Sequence, residues 1–244
     1  MLWLKKTDGA GEEVIALKKR WWIVLLAVLL LAAAAFFAWA LGCYHADAAA
    51  LAALASDTVS VEETDFGWRF DGPAEDAVLV FYPGGNVDET AYAPLLHRAA
   101  EGCMDVCLVK MPFHLAFFGA DRADAILARY DYEKRYIGGH SLGGAVAALY
   151  AAGHELDGVI LLAAYPTKDV DEPMLIVYGS EDGVLNRARV GEAPRYGAVD
   201  EVVIEGGNHA GFGNYGAQKG DGFAAIGAEE QQKETVEAIA AWLG

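Results

Sequence analysis

The chain has 244 residues, of which 18 are basic and 35 are acidic, so its formal net charge is −17. Proteins that bind nucleic acid rely on clustered Lys and Arg, so this charge argues against a nucleic-acid partner. The three cysteines are too few for a disulfide framework, and their spacing does not fit a zinc ribbon. Hydrophobic residues make up 55% of the chain, and much of the excess lies in one block near the N-terminus.

That block, residues 21–43, has no charged side chain. As a helix it is long enough to cross a hydrocarbon core of roughly 30 Å. Lys18, Lys19 and Arg20 precede it, and the next basic residue is Arg69, so the positive-inside rule places the N-terminus in the cytoplasm. The sequence therefore predicts a single-pass protein of the cell membrane, with a cytoplasmic segment at 1–20, a transmembrane anchor at 21–43 and an extracytoplasmic remainder.

Two other interpretations of the apolar block remain open. Ala38-Trp39-Ala40 resembles the cleavage triplet of a signal peptide, although the apolar region of a signal peptide is usually shorter, about 7–15 residues. Leu41-Gly42-Cys43 resembles a lipoprotein site in which Cys43 carries the lipid, but Ala40 is a poor match to the residue expected three positions before the cysteine.

After the block, an Ala-rich stretch predicts a helical linker at 44–57, its helix spanning His45–Ser56, and residues 58–244 alternate short β-rich runs with helical patterns. The predicted strands are Thr58–Glu63, Gly67–Phe70, Ala77–Tyr82, Asp105–Lys110, Arg135–His140, Gly158–Ala163, Met174–Tyr178 and Glu201–Glu205. The predicted helices are Glu89–Glu101, Ala120–Tyr130, Leu142–Ala152 and Glu229–Leu243. Continuous apolar strands are typical of parallel sheets covered on both faces. We therefore expect one α/β domain with about eight strands, mostly parallel, helices on both faces, and an antiparallel hairpin at the start.

A G-x-S-x-G pattern, Gly139 to Gly143, joins a predicted strand to a predicted helix. In that context the pattern indicates a nucleophile elbow, a tight turn that exposes the central Ser141. A serine nucleophile needs a histidine base that is oriented by a carboxylate. Asp182 and His209 follow later strands in the required order, at the carboxyl edge of the sheet where sites gather. Glu181 is the alternative carboxylate.

The same chemistry needs two N–H donors for the developing oxyanion. Leu142, the residue after the nucleophile, supplies one at a helix start. The loop Pro83-Gly84-Gly85-Asn86 follows the third strand, where related enzymes carry the second donor. We expect this donor to be the N–H of Gly85, with Asn86 as the alternative.

These features resemble the α/β-hydrolase superfamily over about residues 58–244. The phrases YPGGNVDETAYAPLL, VKMPFHLAFFG, GGHSLGGA and EGGNHAGFGNYGAQKGDG resemble more specifically the small bacterial "alpha/beta hydrolase fold-5" group, which is related to dienelactone hydrolases. The resemblance implies a serine hydrolase with Ser141, Asp182 and His209 in the catalytic roles. Dienelactone hydrolases have cysteine at the elbow, so Ser141 departs from them.

The predicted strands ending at Ala163 and starting at Met174 are only about ten residues apart, so we expect no lid domain. The G-x-G-x-x-G match at Gly211 to Gly216 lies in a loop after His209, away from the strand–helix junction of a dinucleotide site. Cys103 and Cys107 lack further zinc ligands, and we interpret His45, His97, His114 and His154 as structural. Phe113, Leu115, Phe117 and Phe118 could line a pocket, pack in the core or face a membrane.

The sequence thus predicts a membrane-anchored serine hydrolase without cofactor or metal, acting on a small or medium acyl substrate. An acyltransferase with the same triad is the first alternative. The second is a non-catalytic envelope interaction protein on a hydrolase scaffold, which the intact Ser, Asp and His argue against.

Overall fold

A computed structural model describes residues 9–40, 42–55, 58–73, 76–192 and 197–244 of the chain. Contacts between Cα atoms divide the chain into two units, residues 1–42 and residues 43–244. In the described part the first unit is one helix, α1 (Gly9–Ala40). Its segment Lys18–Phe37, 20 residues with a mean hydropathy of 2.2 and no buried residue, is a candidate membrane span by length and composition. A signal sequence near the N-terminus has the same properties.

The second unit is built around one eight-stranded sheet of order β1-β2-β4-β3-β5-β6-β7-β8. Its strands are β1 (Ser60–Glu63), β2 (Gly67–Asp71), β3 (Ala77–Tyr82), β4 (Asp105–Val109), β5 (Lys134–His140), β6 (Gly158–Leu162), β7 (Met174–Gly179) and β8 (Val199–Ile204). Strand β2 pairs antiparallel with β1 on one side and with β4 on the other. From β4 onward, in the order β4-β3-β5-β6-β7-β8, all neighbouring strands are parallel. The predicted eight-stranded α/β sheet with its antiparallel hairpin edge is confirmed.

Both faces of the sheet are covered by helices, which explains the continuous apolar strands. In β3, Leu79 and Phe81 enter one buried cluster while Val78, Val80 and Tyr82 enter the other. Because successive strand side chains point to opposite faces, a strand buried on both sides must be apolar throughout. The helices of this unit are α2 (Ala48–Ala53), α3 (Ala93–Gly102), α4 (Arg122–Arg129), α5 (Leu142–Ala151), α6 (Arg187–Glu192) and α7 (Ala228–Leu243).

Two helical predictions need correction, and one helix was not predicted. The linker helix predicted from His45 begins only at Ala48, because Tyr44 forms a parallel β-bridge with Val87 and the side chain of Asp47 caps the helix. The helix predicted over Glu89–Glu101 is a 3₁₀ turn at Glu89–Tyr92 followed by α3, since Pro94 has no N–H for a continuous helix. The short helix α6 was not predicted. Ser56 of the predicted linker helix lies outside the described residues.

The connection from β6 to β7 holds no helix and no strand, so the expected absence of a lid domain fits the described chain. The carboxyl ends of β3, β5, β7 and β8 therefore meet at an edge that has no inserted domain above it.

Candidate active site

Ser141 lies in the turn between β5 and α5. Its backbone has φ 53° and ψ −121°, a conformation that costs a non-glycine residue free energy and is concentrated at functional sites. Two hydrogen bonds hold the turn, because the Ser141 N–H donates to the Leu162 carbonyl at 2.9 Å and the Ala145 N–H donates to the Ser141 carbonyl at 3.0 Å. The predicted elbow is therefore present, with Ser141 at its strained position.

The glycines on either side of Ser141 permit close approach of the neighbouring strand. A Cβ atom at Gly143 would overlap the carbonyl oxygens of Tyr82 and Pro83, and one at Gly139 would lie 2.5 Å from the Tyr82 carbonyl. Any larger side chain must push the end of β3 away from the elbow. The loop that follows β3 is thereby packed directly against the serine turn.

Asp182 and His209, from the loops after β7 and β8, form a buried pair. His209 Nδ1 lies 2.9 Å from Asp182 Oδ2, while Asp182 Oδ1 accepts hydrogen bonds from the N–H groups of Val184 and Leu185, each at 2.8 Å. Burial raises the pKa of Asp182, but the hydrogen bond and the charge interaction with His209 outweigh it, so the pKa is lowered overall. The carboxyl group is therefore ionised and fixes Nδ1 as the donor.

The other ring nitrogen of His209 has a different environment. Its Nε2 is buried and has no hydrogen-bond partner among the described residues, Ser141 included. Ser141 and His209 line one cavity of about 310 Å³, together with Leu142, Ala145, Ala163, Ala164, Tyr165, Thr167, Val184, Leu185 and Asn186. General-base catalysis would require His209 Nε2 to come within hydrogen-bond distance of the Ser141 hydroxyl.

The alternative carboxylate has a different environment. Glu181 is exposed, and its side chain accepts a hydrogen bond from the neighbouring Ser180 hydroxyl at 3.3 Å. The pairing with His209 is made by Asp182. The geometry therefore favours Asp182 as the orienting acid.

The two expected oxyanion donors come from segments that touch. A Cβ atom at Gly85 would lie 2.7 Å from Leu142 Cδ2, so the loop after β3 passes directly over the start of α5. The N–H of Asn86, the alternative donor, is already bonded to the His114 carbonyl at 2.8 Å. The N–H of Leu142 is at the first turn of α5, where backbone donors have no partner within the helix. This arrangement favours Gly85 and Leu142.

A buried polar network below the site was not predicted from the sequence. Tyr92 OH accepts the Gly84 N–H at 3.0 Å and lies 2.8 Å from His140 Nδ1, while His140 Nε2 lies 3.1 Å from the His209 carbonyl oxygen. Because a carbonyl oxygen can only accept a hydrogen bond, His140 Nε2 carries the proton and the Tyr92 hydroxyl donates to His140 Nδ1. Burial, and then the neighbouring His209, lower the pKa of His140 well below its ordinary value, so the ring is neutral.

The ring of His140 lies 4.6 Å, centroid to centroid, from the ring of His209. The contacts of His140 join three parts of the site: the loop after β3, the elbow and the histidine loop. The position of His140 inside the G-x-S-x-G pattern was the only sequence signal for this role. Tyr92 gives no local signal, because its contact with the site depends on how the 3₁₀ turn packs.

Two further polar groups hold the loop that carries His209. Asp221 accepts hydrogen bonds from the N–H groups of His209 and Ala210, at 3.1 and 2.8 Å. The buried Gln231 of α7 accepts the Asn208 N–H and donates to the Asn208 carbonyl. Asp221 and Gln231 thus support the loop that carries His209.

The aromatic residues after β4 do not line the cavity at Ser141. Phe113, Phe117 and Phe118 are exposed, while Leu115 is partly buried.

A sequence model described as "Alpha/beta hydrolase family" matches residues 78–233, more than half of the chain. The chain belongs to the alpha/beta hydrolase family. A search of curated proteins finds no match to this hydrolase.

Solved structures with the same fold include three enzymes of low sequence identity. Carboxyl esterase 2 from Tuber melanosporum is 11% identical with a TM-score of 0.58, over 82% of this chain and 90% of its own. Ferulic acid esterase from Streptomyces cinnamoneus is 17% identical with a TM-score of 0.55, over 70% and 67%. Dienelactone hydrolase from Anabaena variabilis is 12% identical with a TM-score of 0.52, over 76% and 97%. At these identities the likeness establishes the fold of this hydrolase.

Proposed function

We propose that this alpha/beta hydrolase is a membrane-anchored serine hydrolase that cleaves an ester or related acyl bond through an acyl-enzyme. The observation that carries the proposal is the position of His209. Its Nδ1 is held by the buried Asp182, its Nε2 has no partner among the described residues, and His209 and Ser141 line the same cavity.

The proposed reaction uses these groups in turn. His209 Nε2 takes the proton of Ser141 as the Oγ attacks the acyl carbonyl, and Asp182 stabilises the imidazolium that forms. The N–H groups of Gly85 and Leu142 stabilise the oxyanion, and one such donor is worth about 2.7–4 kcal/mol of transition-state free energy. His209 then protonates the leaving group, and water, deprotonated by His209, releases the acid and restores Ser141.

The cavity indicates the size of the substrate. Its volume of about 310 Å³ is at the lower end of the range for small-molecule sites, and Ala145, Ala163 and Ala164 give part of it an apolar wall. It suits a small or medium acyl group.

Labelling of the full chain, purified in detergent, with a fluorophosphonate probe tests the proposal. We expect the wild-type protein to be labelled and Ser141→Ala and His209→Ala to be unlabelled. Ser60→Ala, an exposed serine on the edge strand β1, and His154→Ala, a histidine remote from the cavity, serve as matched controls that keep the label. A folded, unlabelled wild-type protein would contradict the proposal and favour an interaction protein on this scaffold.

Membrane anchoring and orientation need a separate experiment. We expect the protein to stay with membranes in alkaline carbonate and to be released by detergent. We also expect protease on the extracytoplasmic side to digest residues 43–244. Recovery of a soluble protein that begins after residue 40 would instead indicate a cleaved signal peptide.

A further inference from the structure

A second cluster of reactive side chains lies at the first residues of the catalytic unit. Cys43 Sγ is 3.7 Å from His45 Nδ1 and 3.8 Å from Asp88 Oδ1, and His45 Nδ1 is 2.9 Å from Asp88 Oδ2. The ligand atoms of Cys43, His45 and Asp88 all lie within 4.8 Å of one another. Sequence reasoning predicts no metal site here, because the residues come from segments more than 40 positions apart and match no local motif.

The backbone explains why these side chains meet. Residues 43–45 are extended beside residues 86–88: the Tyr44 N–H donates to the Asn86 carbonyl, and the Asp88 N–H donates to the Tyr44 carbonyl. In an extended chain, residues two apart point to the same side. Cys43 and His45 therefore share one face, while the ring of Tyr44 packs against Tyr215.

The distances fit a tetrahedral cation. With metal–sulfur bonds of about 2.3 Å and metal–nitrogen or metal–oxygen bonds of about 2.0–2.2 Å, tetrahedral angles put sulfur roughly 3.6 Å from nitrogen or oxygen, and nitrogen roughly 3.4 Å from oxygen. The Cys43 sulfur lies 3.7 Å from His45 Nδ1 and 3.8 Å from Asp88 Oδ1, close to the expected sulfur distances. His45 Nδ1 lies 2.9 Å from the other Asp88 oxygen, Oδ2, which is about half an ångström shorter than a coordinated pair.

The combination of ligand types selects the metal. One thiolate, imidazole nitrogen and one carboxylate suit Zn²⁺ and related borderline cations, whereas Mg²⁺ and Ca²⁺ prefer oxygen ligands throughout. His114 Nδ1 lies 3.9 Å from Asp88 Oδ1, but its ligand atoms group with those of Asp88 and Glu89 and not with those of Cys43 and His45. The nearby Glu89 carboxylate lies 3.4 Å from Lys110 Nζ, so it already has a cationic partner.

We propose that Cys43, His45 and Asp88 form a binding site for a zinc-class divalent cation. Binding forms a metal–sulfur bond and releases the thiol proton of Cys43 to solvent. The cation links the segment just after the apolar helix to the loop that carries Gly85. The site is independent of the proposed triad.

Cobalt titration of the full chain tests the proposal, in detergent with a reductant and after chelator treatment. We expect one equivalent of Co²⁺ to bind with a near-ultraviolet thiolate charge-transfer band and the strong visible bands of a tetrahedral site. Zn²⁺ should displace it and raise the thermal unfolding midpoint. Cys43→Ser should lose the charge-transfer band, and His45→Ala and Asp88→Asn should each weaken binding at least tenfold.

Matched controls distinguish this site from incidental binding. Cys103→Ser, His154→Ala and Ser141→Ala should bind Co²⁺ as the wild-type protein does. Wild-type protein that is folded but binds no stoichiometric cation would overturn the proposal, as would loss of the charge-transfer band in Cys103→Ser. A lipid adduct on Cys43 in the intact-mass spectrum would also overturn it, since lipidation and coordination both need Sγ.

Discussion

The backbone conformation of Ser141 destabilises the folded protein, and it is the conformation that exposes the serine side chain at the elbow. A non-glycine residue in so unfavourable a conformation costs about 1–3 kcal/mol, and glycine relieves much of that strain. We expect Ser141→Gly to unfold at a higher temperature than Ser141→Ala, by several degrees, with both variants inactive. Differential scanning calorimetry of the two variants measures this. Equal midpoints would mean that the turn is not strained.

A second prediction at the scale of single residues concerns the carboxylate of Asp182. Its lowered pKa keeps it ionised, and the hydrogen bond to Nδ1 selects the tautomer of His209 with a free Nε2. Asp182→Asn removes that selection, and the same replacement in a serine protease lowers kcat by about 10⁴. We expect a loss of about 10³–10⁴ in kcat on an activated short-chain ester. Glu181→Gln, at the adjacent exposed acid, should retain most of the activity; an equal loss there would point to Glu181.

The neutral ring of His140 makes stability depend on pH. Burial lowers the folded-state pKa of His140. The contribution of His140 to the free energy of unfolding is therefore complete above the unfolded-state pKa of about 6.5 and is lost as the pH falls below that value. The loss is at most about 1.4 kcal/mol per pH unit. We expect His140→Gln to show a flatter decline in unfolding free energy between pH 6.5 and 5 than the wild type.

Urea denaturation at several pH values measures that slope. Tyr92 and His209, the titratable groups that face His140, are present in both proteins and do not create the difference. His154→Gln is the control, and its slope should equal that of the wild type. Identical slopes for His140→Gln and the wild type would show that the ring is not held neutral.

At the scale of elements, the elbow depends on the contact between β3 and the start of α5. Gly143→Ala places a methyl group against the carbonyl oxygens of Tyr82 and Pro83, so backbone must move. We expect this variant to lose about 1–3 kcal/mol of unfolding free energy and most of its activity. Gly102→Ala, where a Cβ meets no atom within 4 Å, is the control. Similar urea midpoints for both variants would contradict the packing argument.

The strands of the sheet were predicted better at its centre than at its edge. The bounds of β3 were predicted without error, because Ala77 to Tyr82 is apolar on both faces and its ends are sharp. The bounds of β8 were shifted by one or two residues, since the first half of this edge strand holds the adjacent acids Asp200 and Glu201 and most of the strand is exposed or only partly buried. The hydrophobic pattern of a sequence reflects which residues are buried, and an edge strand buries few of its residues.

The residues of the candidate site also differ in how well the sequence predicts them. Ser141, Asp182 and His209 could be located because each follows a strand in a known order, which is a local signal. Tyr92 and Asp221 could not, because their contacts join segments that are distant in the sequence and that meet only once the chain is folded.

At the scale of the whole molecule, the net charge predicts how ionic strength affects activity on charged substrates. Residues 45–244 carry 13 basic and 32 acidic residues, so the catalytic unit repels anions at long range. We expect kcat/KM for an anionic hemisuccinate ester to rise several-fold as ionic strength increases from about 0.01 to 0.15 M, because the Debye length falls from about 30 to 8 Å. A neutral ester of equal size should change little, and parallel salt responses would show that acidic groups do not act at the site.

The short connection between β6 and β7 has a kinetic consequence. With no inserted domain between β6 and β7, the acyl group of the proposed acyl-enzyme would stay in contact with bulk solvent. Deacylation would then draw on whatever nucleophile the medium holds, and an added alcohol would divert acyl groups only in proportion to its concentration. Turnover would need no opening step, so we expect an emulsified substrate to gain no interfacial activation over a dissolved one.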